Sequence, residues 1–134
     1  MNDHLIQAEK RLIDTLQVTV RGPRRNGLFA LWLFVHTCDD ALPPNELSAR
    51  AQKRRLDALE RRLSSLSQPP SFRKALTASV RVVAEGRGEP VVAALTHLVD
   101  PAREALGKQA ADAVALAIRS ANAAVREHRR AENE

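Results

Sequence analysis

The chain has 134 residues, with 21 Lys/Arg against 16 Asp/Glu, a single cysteine, three Phe, one Trp and no Tyr. That length fits one domain able to bury a core without staples. Lone Cys38 excludes an internal disulfide, and the longest apolar run, LFALWLFV (28–35), is far short of the ~20 residues that a membrane span needs.

The opening segment, MNDHLIQAEK, carries acids and amides where a signal peptide would be basic and then apolar. The expected location is therefore the cytoplasm. Leu5/Ile6, Leu12/Ile13, Leu16 and Val20 form the stripe of a first helix, stopped by Gly22-Pro23. A second helix is predicted over 24–42; it is apolar all round in its middle, which marks it as the central one. Pro43-Pro44 interrupts, and Pro44 suits the first turn of a third helix. There Leu56, Leu59, Leu63 and Leu66 repeat at 3, 4, 3, a seam of coiled-coil type. SQPPS ends it, and Phe72, Leu76, Val80 and Val83 are the core stripe of a fourth helix.

Gly86-Arg87-Gly88 reads as a helix stop. Pro90 then starts a short helix through Leu95, Leu98 and Val99. Asp100-Pro101 supplies a second start, with aspartate at the N-cap and proline at the first helical position. The last helix is alanine-rich, with Leu106, Ala110, Ala113, Val114, Ala117, Ala121 and Val125 on one face and a frayed tail over 129–134. No strand alternation occurs. The expected architecture is a single all-α domain over 1–134, a compact bundle of five to six helices around one central apolar helix.

Two features carry potential chemistry. The first is Asp39-Asp40 at the end of the apolar run. On a helix, His36, Asp39 and Asp40 share a face and could converge on one ligand. Carboxylates at a helix C-terminus oppose the macrodipole, at about 0.3–1 kcal/mol each, so a cation should stand nearby. An arginine or a divalent cation would serve. Zinc through His36 and Cys38 is disfavoured, because residues two apart on a helix point away from each other. Cys38 itself reads as a small buried hydrophobe.

The second feature is charge placement. Between Pro44 and Arg87 there are ten Lys/Arg and only four acids, which leaves the rest of the chain close to neutral. Arg50, Lys53, Arg54, Arg61 and Arg62 form a basic patch on the third helix. It could follow a nucleic-acid backbone without sequence preference, or be a solvated face with ordinary i,i+4 pairs.

The stretch RRNGLFALWLFVHTCDD (24–40) resembles the first aspartate-rich helix of squalene and phytoene synthases. The segments RRLDALERRLSSL, KALTASVRVV and VVAALTHLVD follow in a parallel order, so the likeness spans about residues 23 to 100. It implies that Asp39 and Asp40 hold magnesium on an isoprenoid diphosphate, with Arg25 a matching arginine. The motif's third aspartate falls on Pro43, and no second D-x-x-x-D cluster occurs. A partner would have to complete such a site.

The function expected first is a non-catalytic helical interaction protein without a cofactor. It would act on a protein partner or a second copy through Leu56, Leu59, Leu63 and Leu66 or the small-residue face of the last helix. The isoprenoid-diphosphate domain, the one reading that needs magnesium, comes second. A nonspecific nucleic-acid binder comes third.

Overall fold

The computed structural model describes residues 3–19, 21–43, 48–86 and 88–133, with the side chains of residues 3 and 4 left aside. Six α-helices account for most of them: α1 (Asp3–Val18), α2 (Pro23–Cys38), α3 (Ala49–Ser64), α4 (Pro70–Ala84), α5 (Glu89–Leu106) and α6 (Lys108–Asn133). A 3-10 turn, Asp39–Ala41, extends α2, and no strand occurs among the described residues. The expected all-α bundle is what forms.

Helix α2 is central in a specific sense: it touches each of the other five helices. Its buried residues, Gly27, Leu28, Ala30, Leu31, Phe34, Val35 and Cys38, span an arc of about 160° around the helix. Gly27 allows the closest approach. A Cβ there would lie 2.7 Å from Leu106 Cδ2 and 3.4 Å from Pro69 Cδ, so α2 meets the end of α5 and the α3–α4 turn with no side chain between them.

The break between the last two helices differs from the sequence expectation. Helix α5 runs through Pro101 and stops at Gly107. Proline removes one backbone donor and costs about 3 kcal/mol in a helix interior. Here Leu95 and Leu98 before it, and Ala102 and Leu106 after it, are all fully buried, so packing on both sides holds the helix together. Asp100 is no cap; its carboxylate accepts from Arg103 Nη1 at 3.0 Å. The stop comes from Gly107, whose φ of 103° is the left-handed region that glycine tolerates. Its N–H donates to the carbonyls of Ala102 and Arg103. Arg24 reaches across from α2, and its Nε and Nη2 donate to the Leu106 carbonyl at 3.2 and 3.0 Å. The stretch expected as a frayed tail continues α6 to Asn133, with residues 129–133 exposed.

Other boundaries are built locally. Helix α3 begins at Ala49, where the Ser48 hydroxyl accepts from the Ala51 N–H at 3.2 Å. The start expected at Pro44 lies outside the described residues. Gln52 Nε2 donates to the carbonyls of Val83 and Gly86, satisfying the C-terminus of α4 from α3.

The leucine seam is not an exposed contact strip. Leu56, Leu59 and Leu63 are 3%, 6% and 5% exposed and belong to the common core, with Leu66 packed partly against it. The small-residue face of α6 is likewise internal, since Ala110, Ala113, Val114, Ala117 and Ala121 are fully buried beneath α1 and α5. Both faces are used within the bundle, because a helix in a small single-layer core buries its whole apolar stripe against its own neighbours. Neither is left over for a partner.

Candidate functional site

The residues of α1 show which surface is left over. Leu5, Ala8 and Leu12 are buried, whereas Ile6 and Ile13, expected in the same stripe, are each 40% exposed. One residue along a helix is a rotation of about 100°, which carries Ile6 and Ile13 off the core and onto the flank. Val20 lies outside the described residues. With Val18 at the helix end, these are the large hydrophobics exposed among the described residues, and all three belong to α1.

Beside that flank lies the outward side of α2. Phe29, Trp32 and His36 are spaced so that their rings stack in series, with centroids 6.0 Å and 5.4 Å apart. The Arg62 guanidinium sits 5.4 Å from the Phe29 centroid, a cation–π contact from α3. His36 Nδ1 meets Glu9 Oε1 of α1 at 2.5 Å. Leu16 lines a shallow pocket with Arg25, Asn26 and Phe29. Helices α1 and α2 thus run antiparallel, Glu9 level with His36 and Leu16 level with Phe29, which puts Ile13 level with Trp32. Ile13 therefore lies beside the half-buried Phe29–Trp32 stack, while Ile6 is level with Asp39, two turns further along α1. The other two aromatics, Phe34 and Phe72, are fully buried.

The convergence expected of His36, Asp39 and Asp40 does not occur. His36 turns to Glu9, while Asp40 Oδ2 accepts from Arg55 Nη1 of α3 at 2.8 Å. The cation required beside the aspartates is therefore an arginine of the same chain, and Asp39 also has a partner. Arg25 is in the first turn of α2, about 21 Å along the helix axis from Asp39, so the three tentative diphosphate residues are not brought together. No group of three or more His, Cys, Asp or Glu that could hold a metal occurs among the described residues. Cys38 is buried, and burial together with the charges of Asp39 and Asp40 pushes its thiol pKa far up, which makes it a poor nucleophile.

An Asp40→Asn variant should lose only the half-exposed pair with Arg55, which such pairs put at about 0–1 kcal/mol. A working diphosphate site would gain about 2.7 kcal/mol from ligand at one hundred times its dissociation constant. With magnesium and a prenyl diphosphate, the expected melting shift is nil for wild type and variant alike. A magnesium-dependent shift in the wild type that Asp40→Asn removes would reinstate the diphosphate site.

The basic patch is placed as expected, with Arg50, Lys53, Arg54, Arg61 and Arg62 all exposed. Arg50, Arg54 and Arg61 point directly away from the buried leucines and form no ion pair with any described residue. Arg62 belongs instead to the aromatic ladder. Phe29 stacks between Trp32 and Arg62, and Trp32 between Phe29 and His36, so neither ring offers a free face to a nucleobase beside the patch.

Sequence reasoning missed the Arg24 clamp, the Arg55–Asp40 pair and the aromatic ladder. Only the last had a signal in the chain. Phe29, Trp32 and His36 share a helix face by their 3, 4 spacing, and the apolar neighbourhood of 28–35 hid it. No helix among the described residues is long and apolar enough to cross a membrane. No family model, no curated protein and no solved structure matches this chain.

Proposed function

We propose that the chain is a non-catalytic helical interaction module whose contact surface is the face shared by α1 and α2. One observation carries this reading: the exposed large hydrophobics among the described residues are all on α1, and one of them, Ile13, lies level with the half-buried Trp32. Aromatic residues and arginine are the types that dominate binding energy at protein interfaces. Here Phe29 and Trp32 are flanked by Arg25 and Arg62. The stacking and the Arg62 contact hold the rings in place before any partner arrives, which lowers the ordering cost of binding.

Trp32 also supplies the test, since it is the chain's single tryptophan. Affinity capture on the wild-type chain should retain a stoichiometric protein partner or a second copy. Addition of the purified partner should change Trp32 emission. Ile6→Ser with Ile13→Ser should abolish both effects while leaving the melting temperature within a few degrees, because these side chains lie outside the core. Retention unchanged by the double variant would remove the α1–α2 face from the reading.

A further inference from the structure

We infer that the outward face of the α3–α4 hairpin binds the sugar-phosphate backbone of duplex nucleic acid without reading its sequence. This face belongs to other helices than the α1–α2 surface and stands or falls separately from it. Arg50, Arg54 and Arg61 fall within an arc of about 40° on α3, opposite the buried Gln52, Leu56, Leu59 and Leu63, and extend over about 16.5 Å of its axis. On α4, Lys74 and Arg81 are two turns apart on the side away from buried Phe72, Leu76 and Val83. The two helices run antiparallel, since Gln52 donates to the Val83 carbonyl and Arg73 to that of Ser64. Glu60, on the same flank of α3 as Lys53, reaches Arg81 at 3.8 Å, so the outward sides of the two helices adjoin across that flank.

The charges of this surface are not balanced locally, as those of an ordinary solvated face would be. Arg50, Lys53, Arg54, Arg61 and Lys74 are exposed and form no ion pair with any described residue. Asp57 is one turn before Arg61, yet the i,i+4 pair between them is not formed. With Arg73 and Arg81 included, seven cations stand against Asp57, Glu60 and Glu85, an excess of four, whereas the whole chain has an excess of five. Five of the seven are arginines, whose planar fork matches phosphate oxygens.

The surroundings select among polyanions. The exposed large hydrophobics among the described residues are all on α1, so this face has no apolar wedge for a bilayer. Helix α3 has no aromatic residue and Phe72 of α4 is fully buried, which leaves no platform for the unstacked bases of a single strand. One strand of a duplex presents about five phosphates over the length of the arginine row. It presents them already ordered, whereas a flexible acidic peptide would have to be ordered on binding.

The test measures fluorescence anisotropy of two labelled duplexes of unrelated sequence, titrated with the full chain. Their dissociation constants should agree within about threefold, and a fourfold rise in salt should weaken binding about a thousandfold. Replacing Arg50, Arg54 and Arg61 together by Gln should cut the salt slope by about three and weaken low-salt binding by roughly tenfold or more. The melting temperature should stay within a few degrees, because these side chains lie outside the core. A control that removes equal charge from α6, Arg119→Gln with Arg126→Gln and Arg130→Gln, should bind within about threefold of the wild type. No binding to either duplex at about 100 μM protein and low salt would overturn the inference, and so would an equal loss in the α6 control. Tighter binding to a single strand, to vesicles rich in anionic lipid or to polyglutamate would overturn it in favour of that other partner.

Discussion

Replacing Leu63 by alanine should cost this domain about 2–5 kcal/mol and leave its mass in solution unchanged. Leu63 is 5% exposed and belongs to the same core as Leu56, Leu59 and Phe72. Truncation therefore removes buried methyl groups and leaves a cavity that neighbouring helices fill only in part. Leu59→Ala, at 6% exposure, should behave alike. Helix α3 reaches the rest of the bundle chiefly through α2 and α4, so its leucines are its main anchorage. The measurement is thermal or urea unfolding beside light scattering at the same concentration. If Leu63→Ala kept its melting temperature but changed its mass, the 3, 4, 3 seam would be an interface after all.

Gly27→Val should cost about 3 kcal/mol, the upper end of ordinary overpacking. The first added carbon already comes within 2.7 Å of Leu106 Cδ2, and Pro69 and Phe72 close the other sides. Leu106 is fully buried and has little room to turn away. Gly27→Ala should be milder, because alanine gains about 1 kcal/mol in helix propensity over glycine. A double-mutant cycle makes the cause visible. Combined with Leu106→Ala, Gly27→Ala should cost clearly less than the two single losses added together. Strict additivity would show that the contact with Leu106 is not the source of strain.

Much of the fold is legible in the sequence because helix period and proline placement are local signals. Phe72, Leu76, Val80 and Val83 are buried on α4 as their spacing requires, and α2 is central as its unbroken apolar run implies. The errors have physical causes. Asp100-Pro101 is a good local start signal, overridden by four fully buried residues flanking it, whereas Gly107 is a weak local signal made decisive by an arginine from another helix. Ile6 and Ile13 look like core because each adjoins a true core leucine in sequence, and only the tertiary position of α1 shows which of each pair turns inward. The leucine seam reads as a partner surface in the sequence because periodicity reveals an apolar stripe without revealing what covers it. Pairs such as Arg55–Asp40 join residues 15 apart through the meeting of two helices, and no spacing rule encodes that meeting.

The packing of α1 against α6 has a consequence for the order in which the chain is made. Leu5, Ala8 and Leu12 leave the ribosome well before α6, which helps cover them and begins only at Lys108. At about 5–20 residues per second, that gap is on the order of ten seconds of synthesis. During that interval the nascent α1 carries an apolar stripe with part of its cover missing, and Ile6 and Ile13 widen it further. Contacts between the first and last helices also raise contact order, which slows folding relative to a bundle closed by neighbours alone. The nascent chain is thus exposed to chaperones and to self-association until α6 emerges, and α1 is where that exposure is concentrated.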